Sequence, residues 1–168
     1  MSAEHGYLID SDVLITAKNQ YYAFAICPGF WDSILRHHSR KNIHSIDRVK
    51  QELLRGKDDL EQWVRQSVPA GFFRTSDDPK VTKAYKKVIS WINSHLQYSN
   101  ADKKAEFAQG ADGWLVAHGI ATGKTVVTNE QPAPSSTKIK LPDVCDHFSV
   151  PNDNTFAMLK ALSIGYKF

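Results

Sequence analysis

The sequence predicts an α/β domain built on a parallel sheet, and three observations carry that expectation. Short runs at Tyr7-Leu8-Ile9, Ile43-His44-Ser45-Ile46 and Lys124-Thr125-Val126-Val127-Thr128 have the length and apolar or β-branched content of strands. The segments between them carry apolar residues at helical spacing; the clearest stripe is Val81, Tyr85, Val88, Ile92 and Leu96. Strands alternating with helices need crossover connections, which are right-handed and make neighbouring strands parallel. At 168 residues the chain suits one domain spanning 1–168, with enough length to bury a core without staples.

In chain order, Tyr7-Leu8-Ile9 reads as a buried strand that hands over to Asp10 at its carboxyl end. Ser11 or Asp12 is placed to cap a helix running towards Lys18. Pro28-Gly29 breaks the chain before a second helix at residues 30–35. After the second strand, residues 47–55 form a helix with Val49, Leu53 and Leu54 inward and Gly56 at the stop. Leu60, Trp63 and Val64 mark a short helix ended by Pro69, and Phe72-Phe73 is either a small strand or a pair packed beneath helices. Pro79 opens the longest helix, Asn100 caps a shorter one through Phe107, and residues 112–122 form a buried helix closed by Gly123. Residues 131–136 are a Pro- and Ser-rich loop. Ile139-Lys140-Leu141 reads as a last strand, residues 142–148 as a helical turn and 155–162 as a terminal helix.

Composition excludes several classes. Apolar and charged fractions of 42% and 23% are those of an ordinary globular protein, and no apolar run approaches membrane-spanning length. The start of the chain, with Glu4 and His5, lacks the pattern of a signal peptide. Cys27 and Cys145 show no zinc spacing and read as reduced thiols of a cytoplasmic protein. The seven histidines form no HxxxH or HExxH pair, and His118 reads as a helix residue near the core. Gly123-Lys124-Thr125 ends like a phosphate-binding loop, but His118 stands where its first glycine belongs and the segment precedes a strand. Net charge is only +3, yet Arg36, Arg40, Lys41, Arg48, Lys50, Arg55 and Lys57 crowd one stretch, and Lys80, Lys83, Lys86 and Lys87 another. Such runs are solvated helix faces or footing for a polyanion. Tyr21, Tyr22, Phe24, Phe30 and Trp31 form an aromatic segment read as core or dimer packing, with base stacking as the lesser alternative.

Ligands of open α/β sheets sit beyond the carboxyl ends of the strands. Asp10 and Asp12 follow the first strand, and Glu130 follows Val126-Val127-Thr128 by two residues. Asp112 opens a buried helix, and Glu52 adjoins the apolar stripe of its own helix. Singly these are caps and surface charges. Drawn to one edge they repel one another unless a cation sits among them, and a site of oxygen donors alone suits Mg²⁺ or Mn²⁺. A divalent ion so held acts on phosphate esters.

Four segments, in order, resemble the PIN-domain family. Tyr7-Leu8-Ile9-Asp10-Ser11-Asp12-Val13-Leu14-Ile15 is similar to its opening motif, and Ser45-Ile46-Asp47-Arg48-Val49-Lys50-Gln51-Glu52-Leu53 to its second segment. Ala111-Asp112-Gly113-Trp114-Leu115-Val116-Ala117-His118-Gly119 resembles the third and Val126-Val127-Thr128-Asn129-Glu130 the fourth. The chain departs in having Asp12 where many members have Asn and Glu130 where they have Asp. The resemblance implies a three-layer α/β/α fold with a mostly parallel sheet. It also implies a Mg²⁺- or Mn²⁺-dependent endoribonuclease with Asp10, Glu52 and Asp112 as core metal ligands. Glu130 would be a fourth ligand, Asp12 a supporting one, and Thr128 would orient a carboxylate or a bound water. It further implies an RNA substrate, a toxin role with an antitoxin partner, and a homodimer as one arrangement. Two alternatives stand beside it. Asp10-Ser11-Asp12 also resembles the nucleophile motif of haloacid-dehalogenase phosphatases, with Asp143 and Asp146 as late acids and Lys124 as the lysine. A PIN-like scaffold that binds RNA or protein without catalysis is the other.

Overall fold

A computed structural model describes residues 6–165; Glu4 and His5 lie outside the described residues. Five strands, β1 (Tyr7–Ile9), β2 (Ile43–Ile46), β3 (Phe73–Arg74), β4 (Thr125–Val127) and β5 (Asn152–Asp153), form one sheet in the order β3-β2-β1-β4-β5. Every pairing is parallel. The α-helices of the described residues are α1 (Ser11–Thr16), α2 (Pro28–Ser39), α3 (Asp47–Leu54), α4 (Asp59–Gln66), α5 (Pro79–Ser94), α6 (Ala101–Gln109), α7 (Asp112–Thr122), α8 (Leu141–His147) and α9 (Thr155–Ala161). They cover the sheet in a three-layer α/β/α arrangement, as the sequence predicts.

The strand order decides where a ligand belongs. The chain builds leftwards from β1 through β2 to β3, then crosses back and builds rightwards through β4 to β5. The direction reverses between β1 and β4, which pair in register Tyr7–Thr125, Leu8–Val126 and Ile9–Val127. At such a switch point the connections diverge and leave a crevice beyond the strands' carboxyl ends. Asp10 and Thr128 stand at that edge.

The helices form where the sequence supplies caps and an inward stripe. Asp78 caps α5 by accepting from Lys80 N at 2.8 Å, Pro79 starts it, and Val81, Ala84, Val88 and Ile92 are buried. The stripe stops there: the backbone turns extended at His95, and Leu96 is 95% exposed instead of buried. Gly123 closes α7 in the left-handed conformation, φ 73°. Gly119 lets α7 approach Val150, where a β-carbon would stand 2.4 Å from Val150 Cγ1. His118 is buried, its Nε2 3.0 Å from Ser76 Oγ.

Several local expectations are corrected. Asp10 itself, not Ser11 or Asp12, caps α1, its Oδ1 accepting from Ser11 N at 2.7 Å. The helix then passes into a π turn at Ala17–Tyr21. Pro28 does not break the chain but opens α2, its fixed φ suiting a first helical position. The residue in left-handed conformation after α3 is Lys57, not Gly56. Residues 139–141 form no strand: Leu141-Pro142 starts α8, and the fifth strand is the short polar Asn152–Asp153 at the sheet's edge. Both readings of Phe72-Phe73 meet, since Phe72 is the buried last residue of a 3₁₀ turn and Phe73 begins β3. Phe30 and Trp31 are core residues, with Tyr22 stacked on Phe30 and Phe24 on Trp31. Cys27 and Cys145 are buried and unbridged. No helix among the described residues is long and apolar enough to cross a membrane.

Candidate active site

At the carboxyl edge of β1 and β4 the structure assembles side chains from four separate segments. Asp10, 5% exposed, sits deepest. Its Oδ1 is held by Ser11 N, and its Oδ2 accepts from Thr128 Oγ1 at 3.2 Å. The same hydroxyl stands 3.1 Å from Asp12 Oδ2, so one proton serves two carboxylates. Asp12 Oδ2 also accepts from Asn129 N at 2.9 Å, while its Oδ1 is buried with no hydrogen-bond partner. Thr128 thus bridges two carboxylates through one hydroxyl.

Glu52 reaches the same edge from the last turn of α3. Its Oε2 accepts from Ser11 Oγ at 2.7 Å and its Oε1 from Ala111 N at 3.1 Å, so it links the openings of α1 and α7. Asp112 is the first residue of α7. Glu130 accepts from Leu141 N at 2.8 Å through Oε2, which ties the loop after β4 to the start of α8.

The electrostatics record crowding. Burial pushes the Asp10 carboxyl well above the usual carboxylate range, and the charges of Asp112, Asp12 and Glu52 push it the same way. Asp112 is raised to about 7, by burial first and then by Glu130, Glu52 and Asp12. A first-turn position favours a carboxylate, but here desolvation and three like charges outweigh the helix dipole. Asp12 is raised by burial against the lowering effect of its hydrogen bonds to Asn129 and Thr128. No ion pair among the described residues includes any of the five acids; the pairs present are Lys18–Asp58, Arg65–Glu61 and Lys103–Glu106. Also among the described residues, no group of three or more His, Cys, Asp or Glu side chains is placed to hold a metal ion. Asp112 and Glu130 border a cleft, while Asp10 is buried. Such a cleft suits Mg²⁺, which keeps several waters and takes one or two carboxylates plus substrate phosphates.

The family is shown by a match that spans almost the whole chain. A family model described as a domain of unknown function, DUF4411, matches residues 7–166, from the first residue of β1 to beyond α9. The chain belongs to the DUF4411 family. Comparison with curated proteins gives no match.

In this DUF4411 chain the sequence reading overlooked several parts of the site. Ser11 joins Asp10 to Glu52, and Asn129 holds Asp12 through its backbone. A cavity of about 280 Å³ contains Asp112 and Glu130 together with Lys103, Lys138 and Lys140. None of these lysines belongs to the basic stretches at 36–57 and 80–87. Arg48, from the first stretch, lies over the Trp114 ring at 4.7 Å, and Lys50 lies 5.8 Å from the Phe73 ring, so part of that stretch packs against aromatic groups. The signal for Ser11 was its place between two acids. Nothing in the local sequence of Lys138 and Lys140 marks them, because their role depends on where the loop after β4 is tied.

Proposed function

We propose that this chain is a divalent-metal-dependent endoribonuclease of the PIN type. The observation that supports it above others is the convergence of Asp10, Asp12, Glu52, Asp112 and Glu130 at the sheet's switch point, none of them neutralised by an ion pair. The donor set fits a hard cation: all candidate ligands are carboxylate oxygens, and the orphaned Asp12 Oδ1 is a buried acceptor in need of a positive partner. The ion would take one or two of Asp10, Asp112 and Glu52 as ligands, with waters and substrate phosphates completing its shell and Asp12 and Glu130 at its margin. When bound, it would lower the pKa of an attacking water and offset the charge that develops on the phosphate.

The chain's own groups do the rest. Thr128 fixes the Asp10 and Asp12 carboxylates through one hydroxyl. Ser11 fixes Glu52. Lys103, Lys138 and Lys140 lie beside Asp112 and Glu130 and supply cations for the phosphates flanking the scissile one. The phosphatase alternative is less favoured. Asp143 is spent on Ala133 N and Asp146 on Asn152 Nδ2, while Lys124 precedes β4 at the opposite edge, 3.4 Å from His44 Nδ1. The biological role we favour is that of a toxin held in check by an antitoxin partner that supplies a cation to the acidic cleft.

The deciding experiment measures Mn²⁺ binding and RNA cleavage by the purified chain and by Asp10→Asn and Asp112→Asn. Both variants should remain folded, bind Mn²⁺ more weakly and lose cleavage. Undiminished cleavage by both refutes the site. Turnover of a small phosphomonoester with fluoroberyllate trapped at Asp10 favours the phosphatase.

A further inference from the structure

On the β5 side of the acidic cleft lies a second cavity, of about 180 Å³, with walls from α1, the π turn, residues 129–131 and the start of α9. Three aromatic rings, Tyr21, Tyr22 and Phe156, and three amides, Asn129, Gln131 and Asn154, line it. Tyr22 is committed to the core through its stack on Phe30. Tyr21 and Phe156 are not: they are 55% and 52% exposed, with rings 5.5 Å apart and nearly perpendicular. The π turn delivers Tyr21 to this mouth, and π turns of this sort recur at functional sites.

The amides are oriented. Asn129 Oδ1 accepts from Thr155 Oγ1 at 2.7 Å, and Asn154 Oδ1 accepts from Ala157 N at 2.9 Å. With both oxygens engaged, each side chain has its NH₂ donors left, and neither NH₂ has a partner among the described residues. Asn129 also connects the cavity to the acids, since its backbone N–H donates to Asp12 Oδ2.

We propose that this cavity is a nucleobase subsite for single-stranded RNA. An unpaired base stacks against the Tyr21–Phe156 pair and turns a carbonyl-bearing edge to the Asn129 and Asn154 amides. Aromatic stacking is how proteins hold unpaired bases, and an edge of donors alone matches the carbonyl oxygens of uracil better than adenine, whose N6 amino group beside its ring-nitrogen acceptors would meet another donor. The inference rests on the nuclease reading and deepens it by naming the form of RNA and the base recognised.

The test reads binding apart from cleavage. Fluorescence anisotropy of the full chain is measured with short labelled oligo(U), oligo(A) and an RNA duplex, calcium replacing magnesium and manganese. Oligo(U) should bind more tightly than oligo(A), and both more tightly than the duplex. Tyr21→Ala and Phe156→Ala should each weaken oligo(U) binding by about 5- to 100-fold, whereas Tyr21→Phe should bind like the parent. Asn129→Ala and Asn154→Ala, the latter read with its melting temperature because Asn154 caps α9, should bring the oligo(U) and oligo(A) affinities together. Alanine variants with unchanged melting temperature that bind oligo(U) like the parent overturn the subsite, as does equal affinity for duplex; the cavity then serves a protein segment. Base-selective binding lost in Tyr21→Ala, with no metal-dependent cleavage by the parent, keeps the subsite and removes the nuclease. Cleavage with unchanged binding in both aromatic variants removes the subsite and keeps the nuclease.

Discussion

The hydroxyl of Ser11 donates to Glu52 Oε2 at 2.7 Å, joining the first turn of α1 to the last turn of α3. Glu52 accepts from Ala111 N through its other oxygen, so removing Ser11 leaves the carboxylate tethered on one side only. Ser11→Ala should lower Mn²⁺ affinity by about 10-fold, as loss of a group that orients a ligand does. Calorimetric titration with the melting temperature as control reads this. Parent-like affinity sinks the assignment of Glu52 as a ligand.

Repulsion among the acids makes stability depend on pH. Asp112 titrates near 3.8 when unfolded and at about 7 when folded, and Asp10 is shifted in the same direction. Between these values the folded state binds more protons, so stability falls as pH rises through the window and the loss is complete above about 7. Melting temperature should therefore drop between pH 5 and 8 in chelator. Added Mn²⁺ should restore it at pH 8 and have little effect at pH 5. A flat profile in chelator contradicts the crowding.

The same crowding predicts that Asp10→Asn and Asp112→Asn are more stable than the parent at neutral pH without metal, by on the order of 1–3 kcal/mol. Chemical denaturation measures it. A loss of stability in both variants would mean that the carboxylates are net structural assets.

Gly119→Ala places a β-carbon against Val150, a 3% exposed core residue, and should cost about 1–3 kcal/mol. Adding Val150→Ala to Gly119→Ala removes the clash. If the second change recovers nothing beyond its own cavity cost, the close approach of α7 is not the reason for the glycine.

Lys138→Ala and Lys140→Ala should raise KM for RNA with little change in kcat. Each should also reduce the salt dependence of binding by about one phosphate contact. An unchanged salt slope in the double variant moves the RNA track away from this loop.

Much of this was legible in the sequence because local and global signals agree. Pro79 with a preceding Asp, Gly123 after a buried helix and the β-branched run at 125–127 each encode their element within a few residues. Asp10 was found because it follows an apolar strand, and that position is fixed by the pleat and the sheet edge. What escaped is set by tertiary contact. β5 is two polar residues whose strand character comes from pairing with β4. Leu141 looked like a strand because it follows Ile139, yet Glu130 accepting from Leu141 N stabilises a helix start there. The lysines of the cleft and the Tyr21 mouth depend on how loops are tied down, which no local pattern records.

Asp10 and Thr128 touch across 118 positions of sequence, and β1 has no partner on that side until β4 exists. A ribosome adds roughly 5–20 residues per second, so translation separates the two by roughly 6–24 s. Through that whole interval the growing polypeptide lacks Glu130, and for most of it Asp112 as well. Under the proposed activity, a nascent chain is harmless to the message that encodes it until its last quarter emerges. Premature termination before β4 yields a fragment with an unfinished sheet, without the Thr128 hydroxyl that joins Asp10 to Asp12, and not a rogue enzyme.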